Sequence, residues 1–182
     1  MAHELTTSYL RDSLSLFRYY KKLTERAMEQ VTDEELFAVL DGEMNSIAIM
    51  VKHLVGNRRS RWTDFLSSDG EKTDRKRDTE FESPPATRAA LMELWEEGWT
   101  CVFAALEPLS DADVERTVVI RGEPHSVMQA INRQITHYSY HCGQIVFLAK
   151  HLQSRQWKAL TVPKGKSEEF SQRVVAKEIS QR

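Results

Sequence analysis

Three histidines are the residues of this sequence with the clearest potential for chemistry. Two of them, His137 and His141, are four positions apart in a segment with a helical pattern. Residues four apart lie on one face of a helix, with Cβ atoms about 5–6 Å apart. Two imidazoles at that spacing can bind one metal ion through metal–nitrogen bonds of about 2.0–2.1 Å. The pair alone is a weak signal, because two separately hydrogen-bonded histidines on a half-buried helix give the same pattern.

The third histidine, His53, lies in the middle of another predicted helix, between apolar neighbours. Taken alone, it is more typical of a hydrogen-bonded core residue than of a ligand. In helix bundles, however, metal sites are built from side chains on facing helices. With His137 and His141 it predicts a three-histidine site that leaves one coordination position for water, as in catalytic metal centres. Imidazole donors suit zinc, nickel, copper and iron, so they do not identify the metal.

Two polar residues follow His53 on the same helical face. Asn57 is four residues on and Arg61 eight, so both continue the stripe that begins at His53. Asn57 can hydrogen-bond a metal-bound group, and Arg61 can bind a carboxylate or another anion. We therefore treat both as candidate catalytic residues. The alternative, which is the more common case for each residue alone, is a polar side chain or an ion pair at the end of a bundle.

Four long segments must position these residues. In each, apolar residues recur at steps of three and four, which is the helical period. The segments span approximately residues 4–31, 44–65, 83–106 and 127–152. The sequence therefore predicts an all-α protein, a four-helix bundle. On the third segment, Trp95 and Trp99 belong to a broad apolar face, from which we expect a homodimer.

Shorter features connect the long helices. Residues 67–85 are polar and poor in aliphatic side chains, which indicates a long surface connection of a kind that often carries function. The β-branched run 117–120, followed by Arg121 and Gly122, predicts a short β-hairpin before the last long helix. Residues 32–35 are typical of a helix cap and first turn, so a short helix is expected near residues 36–40.

Capping and domain boundaries complete the predicted organisation. Ser83, followed by two prolines, predicts the start of the third long helix. The tail from about residue 157 should be peripheral and contain one short helix. We expect the whole chain, residues 1–182, to form a single domain.

Composition excludes several classes of function. The 182 residues include 25 Lys and Arg against 27 Asp and Glu, without the basic surplus that nucleic-acid binding usually needs. No apolar stretch approaches the ~18 residues of a membrane span, and the first residues do not resemble a signal peptide. The two cysteines form no CxxC motif, which fits a reducing compartment. We expect a cytoplasmic protein with a small-molecule substrate and no nucleic-acid or membrane partner.

The order and spacing of these motifs resemble the DinB/YfiT-like superfamily of metal-binding four-helix bundles. The closer similarity is to an uncharacterised bacterial branch of it, and it extends over nearly the whole chain. The similarity is carried by Asn45–Ala48, His53, Gly56–Phe65, Asp69–Lys72, Arg133-Gln134, His137, Tyr140-His141, Gly143–Ile145 and Lys164–Phe170.

The resemblance implies one divalent ion, often zinc or nickel, on His53, His137 and His141, with water completing the coordination. It also implies that the long connection crosses over, so that the second and third long helices run parallel. Some members of the superfamily look like transferases that use a low-molecular-weight thiol, and others like metal-dependent hydrolases or isomerases. We therefore expect a metal-dependent transferase or hydrolase acting on a small molecule. The alternative is a non-catalytic protein in which the ion only staples the second and fourth long helices together.

Overall fold

A computed structural model of the chain describes residues 5–180. Within this range the chain is mostly helical, with one two-stranded antiparallel sheet. The helices and strands are α1 (Tyr9–Met28), α2 (Asp33–Phe37), α3 (Ile47–Trp62), α4 (Arg88–Leu106), β1 (Thr117–Ile120), β2 (Glu123–Ser126), α5 (Val127–Gln153) and α6 (Ser167–Val175). The predicted helical class and the predicted β-hairpin are confirmed.

Side-chain caps determine where the long helices begin. The hydroxyl groups of Ser46 and Ser126 accept hydrogen bonds from backbone N–H groups in the first turns of α3 and α5. The predicted start at Ser83 is wrong, because Thr87 provides the cap of α4 by accepting from the N–H of Ala90.

Two other predicted helix boundaries need correction. The first helix begins at Tyr9 and not near residue 4, since Ser8 caps it and residues 5–7 are not helical. Glu4 itself lies outside the described residues. The short helix α2 begins at Asp33, directly after the predicted cap, where Thr32 and Glu35 form a reciprocal capping box, but it ends at Phe37, three residues before the predicted end near residue 40.

The long helices share one hydrophobic core. Helix α1 packs mainly on α5 and α3 mainly on α4, while α3 also contacts α5. Phe17 of α1 lies edge-on to Trp62 of α3 and Trp99 of α4, with ring centroids 6.0 and 6.3 Å apart. Both Trp95 and Trp99 are fully buried in this core. The two tryptophans on which we based the homodimer are therefore not surface residues, and the homodimer stays a prediction without their support.

A buried arginine, Arg58, lies among these aromatic rings. Its guanidinium carbon is 3.8 Å from the ring centroid of Trp99, 4.2 Å from that of Trp95 and 4.9 Å from that of Tyr138. Its Nε and Nη1 atoms make no hydrogen bond within the described residues. Burial lowers the pKa of Arg58 to about 10. Arg58 has no direct ion pair among residues 5–180; the faces of three aromatic rings stabilise this cation, and the carboxylate of Glu25 adds a more distant favourable charge.

The long surface connection predicted between α3 and α4 is present, since most of residues 67–85 are exposed or half-buried, but part of it is folded against α3. Its central part, Arg77–Phe81, forms a 3-10 turn that packs directly on α3. Lys52 of α3 holds this part by donating hydrogen bonds to the carbonyls of Thr79 (2.6 Å) and Glu82 (2.5 Å). Among the charged side chains of the connection, Glu80 is buried, because His53 of α3 supplies a polar partner for it.

The β-hairpin packs against the start of the same connection. Its turn, Arg121-Gly122, has positive φ at both residues, as two-residue hairpins prefer. The carboxylate of Asp69 accepts hydrogen bonds of 2.8 Å from both of their backbone N–H groups. The N–H of Gly70 donates to the carbonyl of Val119 at 2.7 Å. The hairpin turn is thereby brought next to α3.

The tail after α5 returns to α1. Arg26 of α1 donates a 2.8 Å hydrogen bond to the carbonyl of Leu160, and the predicted short helix is present as α6. Along residues 5–180, every helix is too short or too polar to cross a lipid bilayer.

Candidate metal centre

The three predicted histidines come together between α3 and α5. His53, His137 and His141 each offer a ring nitrogen, and these atoms lie within 4.8 Å of one another. The Nε2 atoms of His53 and His137 are 3.4 Å apart. Two ligands in a tetrahedral site with bonds of about 2.0–2.1 Å have a separation of about this size. The predicted convergence is confirmed, and the cluster can hold a metal ion.

The electrostatics of the cluster favour neutral imidazoles at His137 and His141. Burial, together with the neighbouring His141 and His53, lowers the pKa of His137 to about 3. Burial likewise lowers the pKa of His141 to about 4. Neutral imidazole is the form that binds metal, because one nitrogen keeps its lone pair.

One nitrogen of the cluster lacks a hydrogen-bond partner among the described residues. The Nδ1 atom of His141 is buried and has no hydrogen bond within residues 5–180. Leaving such a group unpaired costs about 1–3 kcal/mol, which coordination to a cation would offset. Closely spaced neutral donors and an unpaired buried nitrogen both fit a divalent ion.

Glu80 of the connection fixes the orientation of His53. Its Oε2 atom lies 2.9 Å from His53 Nδ1, and both side chains are buried. Burial would raise the pKa of Glu80, but hydrogen bonds from His53 and Arg75 outweigh it and the pKa is lowered. An ionised carboxylate only accepts, so Nδ1 of His53 donates the proton and its Nε2 keeps the lone pair near His137. Carboxylates in this position orient metal-binding histidines and increase their basicity.

Arg75 and Phe81 complete this support. Arg75 binds both carboxylate oxygens of Glu80 through Nε and Nη2, at 2.7 and 2.9 Å. The ring of Phe81 stacks on that of His53 with centroids 4.6 Å apart. We did not predict any of these three residues, because nothing in a polar connection marks which of its side chains fold back onto α3.

The sequence does contain one signal for this close approach, which is Gly56 within α3. A Cβ atom at Gly56 would overlap the carboxylate of Glu80. A glycine inside a helix costs about 1 kcal/mol relative to alanine, so its presence one turn after His53 points to a neighbour that needs the space.

The substitution Gly56→Ala should therefore weaken zinc binding about 10–100-fold, because the new methyl group displaces Glu80 from His53. Zinc titration measures the dissociation constant, and thermal unfolding should show that the fold is retained. The matched control is Gly143→Ala in α5, where an added Cβ meets nothing within 4 Å. Equal zinc affinity in Gly56→Ala and the wild type would contradict the role given to Glu80.

Asn57 lies beside the cluster and is part of a buried hydrogen-bond chain. Its Oδ1 accepts from the hydroxyl of Tyr138 at 3.2 Å, and that hydroxyl accepts from Trp62 Nε1 at 2.9 Å. Burial raises the pKa of Tyr138 to about 12, so the hydroxyl stays protonated. The chain fixes the position of Asn57, whose catalytic role stays a prediction.

Arg61 is also buried and already bonded. Its guanidinium donates to the carbonyl of Gly70 and, at 2.8 Å, to the carboxylate of Glu71. These bonds match the ion pair that we considered as the alternative to anion binding. Its Nε atom, however, is buried without a hydrogen-bond partner in the described part of the chain. Arg61 thus retains a free donor, and its role in substrate binding stays a prediction.

A cavity of about 420 Å³ opens beside the histidine cluster. His137, Asn57 and Arg61 all line it, so a small molecule inside it would contact both the cluster and the two candidate catalytic residues. Tyr140 stands at its rim with 62% of its surface exposed and accepts a 3.1 Å hydrogen bond from Gln144. A larger cavity of about 560 Å³, which includes Glu80, has no histidine in its wall.

Comparison with known proteins places the chain in one family. The family model described as "Protein of unknown function (DUF1572)" matches residues 4–166, a range that includes all three histidines. No curated protein and no solved structure matches the chain significantly.

Proposed function

This chain belongs to the DUF1572 family, and we propose that it is a metal-dependent enzyme acting on a small molecule. The observation that carries the proposal is the convergence of His53, His137 and His141 beside a cavity, with Glu80 bonded to the outer nitrogen of His53. Three protein ligands leave a coordination position open in a tetrahedral site, which is where catalytic metals bind water or substrate.

We also propose that the four long helices form a single-domain bundle of the DinB/YfiT-like kind, in which α3 and α4 run parallel. A Cβ atom at Gly98 of α4 would lie 3.1 Å from Val55 of α3. Farther along both helices, Trp62 and Cys101 line one cavity. Contacts that advance in the same direction along two helices support a parallel pair. Metal-binding bundles have a similar arrangement, and this analogy supports the proposal that the histidine cluster binds a metal ion.

The proposed ion is zinc or nickel, because three imidazoles suit both metals. When bound, it would lower the pKa of a coordinated water or thiol and so supply a nucleophile near neutral pH. Glu80 would hold His53 in position, while Asn57 and Arg61 would bind the substrate. We propose transfer to or from a low-molecular-weight thiol as the first reaction class, with hydrolysis as the second.

Elemental analysis tests the metal centre directly. Protein purified without a histidine tag should contain close to one divalent ion per chain. Mass spectrometry of the native protein provides an independent count. A protein that contains no ion, and that binds neither zinc nor nickel on titration, would overturn the proposal.

A second experiment separates the enzyme from a protein in which the ion only staples α3 to α5. In an enzyme, thiols or hydroxamates should change the absorption spectrum of the cobalt-substituted protein, because they replace the bound water. Chelation should then lower the melting temperature only modestly. If the ion only staples the helices, the opposite results are expected: the spectrum should not change, and chelation should lower the melting temperature strongly. In that case the free energy of metal binding contributes directly to the stability of the fold.

The remaining expectations about partners and location are proposals. We propose a cytoplasmic homodimer without nucleic-acid or membrane partners. Light scattering that reports a monomer at micromolar concentration would contradict the dimer.

A further inference from the structure

The cavity beside His137 is lined by five arginines from four different parts of the chain. They are Arg61 of α3, Arg75 and Arg77 of the connection, Arg121 of the hairpin turn and Arg133 of α5. We call this space the arginine cavity. Among its lining residues there is no aspartate or glutamate. Guanidinium groups gathered on a concave surface create a positive potential that attracts anions.

One carboxylate, that of Glu71, forms ion pairs with three of these arginines. Its Oε2 atom lies 2.8 Å from Arg61, 3.2 Å from Arg75 and 3.1 Å from Arg121. A single charge shared in this way fixes the three side chains but neutralises only one of them. Arg61 and Arg75 have side chains that are 5% exposed, so this inner wall of the cavity is rigidly held.

The remaining charge is poorly compensated. The other carboxylate paired with the group is Glu80, which binds Arg75 and is also bonded to His53. Arg77 and Arg133 are exposed and have no ion pair within residues 5–180. Besides Glu71 and Glu80, the carboxylate of Asp69 lies at the hairpin turn, so five guanidinium groups against three carboxylates leave two positive charges uncompensated around the cavity. A bound anion would compensate them.

We infer that the substrate carries a phosphate or phosphonate group that binds in the arginine cavity next to His137. This inference rests on the proposed function and specifies its substrate class. A carboxylate is planar, and one or two arginines that bind it with paired hydrogen bonds in its plane occupy its acceptor positions. A tetrahedral dianion has three terminal oxygens and accepts donors from several directions, which is how the five arginines are distributed. The volume of about 420 Å³ suits a small molecule.

Titration with inorganic phosphate tests the inference. Calorimetry on the wild type, as purified and after chelator treatment, should show saturable binding in both forms. The double variant Arg77→Gln/Arg133→Gln should bind phosphate at least about tenfold more weakly, because each lost charged hydrogen bond is a large contribution. Its fold should be retained, since neither side chain is buried or ion-paired in the described range.

The matched control is Arg155→Gln, which changes an exposed arginine just beyond the end of α5, whose last residue lies about 30 Å along the helix axis from Arg133. It should bind phosphate with wild-type affinity. Absence of phosphate binding, or equal affinity in the double variant and the wild type, would overturn the inference. Tighter binding of succinate than of phosphate would overturn the choice of a tetrahedral group.

The phosphate titration and the elemental analysis test the inference and the proposed function separately. Phosphate binding to the chelator-treated protein depends on the arginines and not on an ion. A protein without metal would therefore refute the proposed function while the phosphate result stands. Conversely, failure to bind phosphate would leave the measured ion content unchanged.

Discussion

The variant His137→Ala should lose its divalent ion, with affinity for zinc lowered by more than about 100-fold. Its imidazole is one of three donors within 4.8 Å of one another, and the remaining two, His53 and His141, cannot hold the ion tightly. Mass spectrometry of the purified variant gives the ion content, and a zinc titration gives the affinity. The variants His53→Ala and His141→Ala should behave in the same way.

His151→Ala provides the control for this experiment. His151 lies on α5, ten residues after His141, and its side chain is exposed. It is about 15 Å from His141 along the helix axis and therefore too far to share an ion with it. This variant should retain a full complement of metal. Full metal content in His137→Ala would exclude the cluster as the binding site.

The largest effect on stability is expected from Arg58→Ala. Removing this side chain leaves a cavity between Trp95, Trp99 and Tyr138 and abolishes three cation–π contacts. Comparable truncations of large core side chains lower the free energy of unfolding by about 3–5 kcal/mol. Urea denaturation followed by tryptophan fluorescence measures the change.

The comparison variant is Arg58→Met, which keeps most of the volume and removes the buried charge with its two unpaired nitrogens. Volume-conserving core substitutions usually cost less than about 1.5 kcal/mol, so this variant should be clearly more stable than Arg58→Ala. If Arg58→Ala unfolds at the same urea concentration as the wild type, Arg58 does not contribute to the core as described.

Local patterns were sufficient to predict the helical class, the hairpin and the histidine cluster. Helical periodicity depends on neighbours three and four residues away, and the spacing of His137 and His141 is itself a local property. His53 required one further assumption, that α3 and α5 face each other. The helix starts were less accurate, because Ser83 and Thr87 are both good caps and only the packing of the connection decides between them.

The parts that the sequence did not reveal depend on contacts between distant residues. Glu80 and Arg75 occur in a segment whose composition is typical of a solvated loop, and their burial follows from pairing with His53 and with each other. Arg58 lies between Asn57 and Arg59, residue types that are common at protein surfaces, so its place among aromatic rings has no sequence pattern. Pairwise compensation of buried charges is a property of the tertiary structure.

Contacts between residues far apart in sequence hold α3, the connection, the hairpin and α5 together, and they determine the expected order of folding. His53 pairs with Glu80 across 27 residues and faces His137 across 84, while Asp69 reaches Gly122 across 53. Each contact requires closure of a long loop, which is entropically costly and slows formation. We expect helical signals to appear early in refolding and the cluster to form only with the final topology. The time at which the refolding protein begins to bind added metal should therefore mark the completion of the native arrangement.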